Sequence, residues 1–431
     1  MLSGFRPPLF LLTALLWLLL AILLGFAIWI GKALGWVVPA QLRVMHVHMA
    51  LVGGVAQMIF GAMLAFIPTL LMVPFKETKG RALQYVLLNG GTLGMLAGFA
   101  VANYPLVGFS GAAVGIAFLV FLADSLHLVR QSVQRTGLNV WFYGLAVLSL
   151  LGGIVLGEML AFGGLSSQTI GLARLAHLHL NLVGFATLTI VGTMQNLFPT
   201  VANTKLYSDR LAVVAFIALP LGMLGLVDGF FLAQPLAQIA AGVLLLVGAC
   251  AYGWNILRTW LGAETRTSTP VLHLLCGTGW LILTMAGGLF LAWNNRTDPP
   301  LYPVGTAHLM GYSHMALVGF ILQTIMGALS HLLPIILALN RTKSQKKRQP
   351  YLEKLTGLIE QGKWMQLVLL NLGTAGMMWW GLSSGIFGLR AVTTLVSLWI
   401  SAGLLVAALG LFVVKIVRLL SSHAPDHNPE L

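Results

Sequence analysis

The segment RLAHLHLNLVGFATLTIVGTMQNLFP, residues 174–199, begins with two histidines two residues apart and continues as an apolar run. Side chains two positions apart on an α-helix point in directions about 200° apart. His177 and His179 would therefore face different neighbours. Neutral imidazole is a common ligand of transition metals and of haem iron. The pair predicts one helix that serves two separate sites.

The same pattern occurs in three copies that align without a gap. The copies are HVHMALVGGVAQMIFGAMLAFIP (46–68), HLHLNLVGFATLTIVGTMQNLFP (177–199) and YSHMALVGFILQTIMGALSHLLP (312–334). The first copy contains His46 and His48, and the third contains Tyr312 and His314, with His308 one turn before the tyrosine. Interfacial histidines that bond to backbone or water are the simpler interpretation of one such residue. Repetition on three equivalent helices favours a functional cluster, because unpaired imidazole in lipid is costly.

The composition places these segments in a membrane. Of the 431 residues, 58% are hydrophobic and 8% are charged, whereas a soluble domain is about a quarter charged. Apolar runs long enough to cross a bilayer recur along the whole chain. We predict an all-α integral membrane protein with one transmembrane domain of twelve helices, arranged as three pseudo-repeats of four. The predicted parts are pseudo-repeats at about 8–130, 139–258 and 270–418, a basic cytoplasmic loop at 341–362 and a polar tail at 419–431.

The positive charges indicate an orientation. The net charge is +13, and most Lys and Arg residues follow the even-numbered spans. By the positive-inside rule, both termini are cytoplasmic and the histidine-bearing helices enter from the outer face. The tract at 341–348 is better explained by orientation and anionic lipid headgroups than by nucleic acid.

Three further residues have two interpretations each. Arg43 and Arg174 stand three residues before the first histidine of their copies. They would either anchor the helix at the headgroups or pair with the anionic propionates of a haem. Glu158, inside a predicted span, would act in a proton relay or as a protonated acid bonded to a neighbouring helix. We expect structural or surface roles for the remaining histidines: His127, His273, His331, His423 and His427.

This layout resembles subunit I of the haem-copper oxidases, and in particular the C-family oxidases and nitric oxide reductases. "LRVMHVH" is similar to the second-helix segment of those enzymes, which marks His46 as a haem ligand with His314 as its partner. Tyr312 then occupies the place of the high-spin haem ligand, unless His308 replaces it. The resemblance assigns a second haem or copper site to His177 and His179, together with His48 and His308.

The resemblance also implies cofactors and partners. These are one or two b-type haems, with copper as an option, an electron donor such as a cytochrome c-type subunit, and oxygen or nitric oxide as the gas. It places the chain in a prokaryotic inner membrane. The family carries an adjacent His pair on its seventh helix, whereas residues 209–231 contain no histidine. That difference favours gas binding or slow reduction over fast oxygen turnover.

Two alternatives remain open at this stage. "HVHMAL" and "GFRPPLF" are similar to segments of the NnrS family, haem- and copper-containing membrane proteins associated with nitric oxide stress. Met49 stands where that family has Glu. The other alternative is a transporter or assembly factor without metal, whose histidines line a proton or ion path.

Overall fold

The fold was determined as a computed structural model, which describes residues 6–73, 79–132 and 137–423. Every regular element in those ranges is helical, as predicted for an all-α protein. The helices in chain order are α1 Pro7–Ala33, α2 Ala40–Leu70, α3 Lys79–Ala100, α4 Tyr104–Gln131, α5 Leu138–Ala161, α6 Ile170–Val201, α7 Asp209–Phe231, α8 Pro235–Leu261, α9 Thr269–Asn294, α10 Thr306–Arg341, α11 Gln345–Glu360, α12 Lys363–Phe387 and α13 Val392–Ser421.

Most of these helices are long and apolar enough to span a bilayer. Among the described residues, ten satisfy both conditions, and the chain is therefore a multi-pass membrane protein. The other two predicted spans form α3 and α12, which have 22 and 25 residues. Each packs along the next helix, α4 and α13 respectively. The total of twelve spans stays a prediction.

The chain divides into two compact units. One comprises the residues up to Thr193 together with Phe216–Leu245, and the other comprises Met194–Ala215 together with the residues from Leu246 onward. The first unit contains α1 to α5, and the second contains α9 to α13. The first unit also includes α6 up to Thr193, so it contains the first two histidine pairs, whereas the second unit contains the third copy up to Pro334. Each histidine-bearing helix packs against the helix that precedes it in sequence.

The three repeated segments share an unusual backbone. Directly after His48, His179 and His314, the segments pass through eight residues of π-helix, Met49–Ala56, Leu180–Thr187 and Met315–Leu322. π-Helical turns are rare and are found preferentially at functional sites. Their occurrence at the same place in α2, α6 and α10 supports the alignment of the three copies.

The glycine of each π stretch lets the preceding helix approach closely. A Cβ atom built on Gly53 would lie 2.7 Å from the Trp17 ring, and one built on Gly319 would lie 2.6 Å from the Trp280 ring. The two indoles donate to equivalent amides: Trp17 Nε1 to Asn89 Oδ1 at 2.9 Å, and Trp280 Nε1 to Asn371 Oδ1 at 2.7 Å. The first and third repeats therefore have the same local arrangement.

The predicted basic loop at 341–362, which connects α10 to α12, contains a helix. Residues Gln345–Glu360 form α11, whose Tyr351, Leu355 and Ile359 are buried. These residues are four apart and form the apolar stripe of an amphipathic helix. Arg341 holds the end of α13 nearby by donating to Leu420 O at 2.8 Å and to Ser422 O at 2.9 Å.

Candidate functional site

The first histidine of each H-x-H pair is held by the preceding helix of its own repeat. His46 Nδ1 lies 2.8 Å from Ala21 O on α1, and His177 Nδ1 lies 2.7 Å from Gly153 O on α5. A carbonyl oxygen only accepts, so Nδ1 must carry the proton and donate. The lone pair of each imidazole is then on Nε2, the nitrogen that would ligate a metal.

The second histidine of each copy is held by its own helix. In all three cases Nδ1 donates to the carbonyl four residues earlier: His48 to Val44 at 2.9 Å, His179 to Leu175 at 2.8 Å and His314 to Met310 at 2.7 Å. Five imidazoles on three helices therefore share one tautomer. An Nδ1–H bonded to a backbone carbonyl is the usual support of a histidine that ligates a metal through Nε2.

The rings within a pair face different neighbours. The His48 ring lies 4.8 Å from Phe99 on α3 and 6.4 Å from the His177 ring, measured between centroids. The His179 ring instead lies 5.0 Å from Phe230 on α7. All five histidines are half-buried.

Glycines on the preceding helices provide the space for the rings of His46, His177 and Tyr312. A Cβ atom on Gly25 would lie 2.6 Å from His46 Cε1, and one on Gly157 would lie 3.0 Å from His177 Cε1. In the third repeat a Cβ atom on Gly288 would lie 2.8 Å from the hydroxyl of Tyr312. These glycines permit a close approach, and any larger residue would move the ring.

His308 has a different arrangement. At the start of α10 its Nδ1 accepts from the Gly305 backbone N–H at 3.1 Å, so the proton of the neutral ring is on Nε2. The imidazole packs against Gly385 of α12. Its hydrogen bond thus selects the tautomer opposite to that of the five other imidazoles and caps the helix.

The remaining sequence-predicted residues lie near the pairs without a shared arrangement. Arg43 and Arg174 are exposed on the first turns of α2 and α6. A carboxylate oxygen of Glu158 contacts Gly111 of α4, while Oε2 is buried with no hydrogen bond in the described part of the chain. Within that part, no three His, Cys, Asp or Glu side chains come together as a metal-binding group.

Sequence reasoning missed the groups that orient the rings. The acceptors Ala21 O and Gly153 O are backbone atoms on other helices, and their residue types carry no signal. The glycines at 25 and 157 were available in the sequence. Their position one helical turn from those acceptors becomes informative only once the helix pairing is known.

Comparison with known proteins identifies the fold. No family model matches the chain. An uncharacterised protein of Aquifex aeolicus (strain VF5) is 30% identical over 196 residues, which cover 44% of this chain and 48% of that protein, about half of its length. A heme-copper terminal oxidase, solved as a dimer by cryo-EM, superposes with a TM-score of 0.71 over 97% of this chain and 84% of its own, at 14% identity. The chain has a haem-copper oxidase fold.

Proposed function

We propose that this chain is a haem-binding membrane protein of the haem-copper oxidase type that acts in redox or diatomic-gas chemistry. The observation that carries the proposal is the common tautomer of five imidazoles, whose Nδ1 atoms are bonded to backbone carbonyls. We place a b-type haem near the outer face of a prokaryotic inner membrane. An electron donor such as a cytochrome c-type subunit and membrane lipid are the proposed partners.

His46 and His314 are the proposed axial ligands of the haem. The residues fit such a group, because both imidazoles are half-buried and have Nδ1 bonded to a carbonyl. Haem iron, when bound, supplies one-electron transfer and gas ligation. The role of the backbone bonds is to fix the tautomer and the orientation of each ring. The exposed Arg43 and Arg174 would pair with propionates.

His177, His179 and His48 form the proposed second ligand group. The ring contact between His48 and His177 brings α2 and α6 together in the first unit. For a copper ion the donor set does not fit, since the described residues gather no three-ligand group. We therefore assign this group to a second haem or to gas binding, and we derive no step through copper.

The same observation favours a second candidate, a haem protein that binds gas without rapid turnover. Such a role is similar to that of the NnrS family. Residues 209–231, which form α7, also contain no histidine. Consumption of oxygen and nitric oxide by the reduced protein, measured with its copper-to-haem ratio, separates the two. Sustained oxygen turnover with bound copper would exclude the second candidate.

The test of the proposal is the optical spectrum of the purified protein. We expect a Soret band and a six-coordinate low-spin spectrum in the wild type. H46A and H314A should each abolish the low-spin spectrum, because each removes one axial nitrogen. H127A is the control, since His127 is exposed and bonded to Gln131 on its own helix. A colourless wild type, or an unchanged spectrum in both ligand variants, would contradict the proposal.

A further inference from the structure

A second polar cluster lies in the third repeat, near the starts of α9 and α12 and the end of α13. It consists of His273 on α9, Gln366 on α12 and Lys415 on α13, whose exposed fractions are 1%, 0% and 5%. Lys415 Nζ donates to Gln366 Oε1 at 2.5 Å, and the ammonium also acts electrostatically on His273. Both ring nitrogens of His273 and Nε2 of Gln366 have no hydrogen bond in the described residues.

Packing does not explain the imidazole. His273 Cβ lies 3.1 Å from a Cβ atom built on Gly327, and the same approach occurs in the other repeats between Phe10 and Gly61 at 3.0 Å and between Phe142 and Gly192 at 2.5 Å. The position that faces this glycine is therefore occupied by phenylalanine in the first and second repeats and by histidine in the third. A phenyl ring fills it without a buried unbonded polar group, which costs free energy.

The Gln–Lys contact also has a counterpart of opposite charge in the first repeat. Gln84 on α3 donates from Nε2 to Asp124 Oδ2 on α4 at 3.1 Å. The register of the two pairs matches, because Asn89 and Asn371, each five residues further along, accept from the equivalent indoles. The first repeat therefore has a carboxylate where the third repeat has an ammonium group, with an imidazole beside it.

The cluster is connected to the aqueous side through α11. Glu360 Oε2 accepts from Lys363 Nζ at 2.8 Å, and its Oε1 accepts from the Thr269 backbone N–H at 2.7 Å. The Lys363 and Glu360 side chains are 23% and 28% exposed. Thr269 lies one turn before His273, and Glu360 also acts electrostatically on Lys415. Partly exposed charges thus lead to buried ones.

We propose that His273, Gln366 and Lys415 form a proton-uptake site that takes protons from the aqueous side at Glu360 and Lys363. Lysine and histidine are the side chains that most readily exchange protons when buried, and ionisable residues within a membrane are usually functional. One proton enters from water as one leaves the cluster, so no net charge accumulates. The amide oxygen of Gln366 accepts from the ammonium group and fixes its position.

The path continues along α10. The Thr324 hydroxyl lies 2.8 Å from a Cβ atom built on Gly277, one turn along α9 from His273. Neighbouring Gln323 is fully buried, and neither of its amide atoms has a hydrogen bond among the described residues. This polar step leads toward the half of α10 that carries Tyr312 and His314. The destination of the proton rests on the proposed function, whereas the uptake site does not.

The test is an infrared pH titration of the membrane-embedded full-length protein, comparing wild type, H273F, K415M and D124N. We expect one protonation step that is lost in H273F and K415M and retained in D124N, which alters the counterpart in the first repeat. H273F should fold because Phe10 and Phe142 occupy the equivalent places. On α9, α12 and α13 the other titratable groups are Cys276, Lys363 and Arg418. These groups, together with Glu360 of α11 and His331 of α10, are unchanged in every variant.

Two outcomes would overturn the assignment. One is a titration of H273F identical to that of the wild type. The other is a protonation step that moves when chloride is replaced by gluconate, which would identify an anion site. In haem-loaded protein, proton uptake on reduction should fall at least twofold in H273F. If the protein holds no haem, the proposed function fails while the infrared titration still tests the uptake site.

Discussion

The first and third repeats have the same scaffold and differ in the chemistry placed on it. In both, a histidine donates from Nδ1 to the carbonyl four residues earlier, a π-helical stretch follows, and a tryptophan–asparagine bond holds the preceding helix. At the first position of the segment, however, His46 bonds to α1, whereas Tyr312 packs its hydroxyl against Gly288 of α9. Repetition thus preserves backbone geometry while single positions change function.

The helix ends that carry Phe10 in the first repeat and His273 in the third also share a backbone arrangement and differ in chemistry. Phe10 and His273 occupy matching places, as do Asp124 and Lys415. A position facing a glycine of the next helix accepts either an apolar ring or an imidazole of similar shape. The difference between them is then hydrogen bonding and charge, and this makes the first repeat an internal control for the third.

The largest expected effect is that of filling the space beside His46. G25V would place carbon within the van der Waals radius of the His46 ring. Overpacking of this kind costs about 1–3 kcal/mol, and moving the ring breaks the Ala21 bond. We expect loss of the low-spin haem spectrum and a lower unfolding temperature, measured by absorbance and thermal melting.

Gly90 provides the matched control for this variant, because a Cβ atom there would have nothing within 4 Å. G90V should keep the haem spectrum of the wild type. If G25V also kept that spectrum, haem binding would not depend on the observed position of His46. The difference between His46 and Tyr312 would then not explain a difference in function between the first and third repeats.

A smaller effect is expected from the shared tryptophan–asparagine bonds. W17F and W280F each remove one indole donor and should destabilise the protein by about 1 kcal/mol, the usual net value of one hydrogen bond. The two losses should be similar, because the bonds are 2.9 and 2.7 Å long in equivalent places. Thermal unfolding in detergent measures both.

The exposed Trp141 is the control for these two variants. Its side chain is 59% exposed, so W141F should leave the unfolding temperature close to that of the wild type. A large loss of stability in only one of W17F and W280F would show that the tryptophan–asparagine bond stabilises the first and third repeats to different extents.

Much of the fold was readable from the chain because the three copies align at fixed spacing. The all-helical membrane fold and the candidate imidazoles followed from that spacing and from composition. The π-helical stretches depend on the register of backbone hydrogen bonds, which no residue type specifies. α11 was missed although the stripe of Tyr351, Leu355 and Ile359 is visible in the sequence. The charge around its start, NRTKSQKKRQ, drew attention to lipid headgroups instead.

The candidate site was only partly predictable. His308 was grouped with the cofactor-binding residues because it lies one turn from Tyr312, and the structure adds that its Nδ1 accepts the Gly305 N–H. His273 lies outside the aligned copies, and we expected it to be structural. Its correspondence with Phe10 and Phe142 appears only when α1, α5 and α9 are superposed through the glycines they contact. Contacts between helices, rather than residue type, separate these cases.

The smallest expected effect concerns Tyr312, and it decides whether the first position of α10 is a ligand. The tyrosine ring packs against Gly287 and Gly288 of α9, which accounts for its place without a metal. Y312F keeps the ring and removes only the hydroxyl, a change worth about 1 kcal/mol or less. We therefore expect haem content and the low-spin spectrum of the wild type, while H46F in the equivalent place of α2 loses them. A loss of the spectrum in Y312F equal to that in H46F would make the phenol oxygen a ligand. The first and third repeats would then share not only their backbone but also their coordination chemistry.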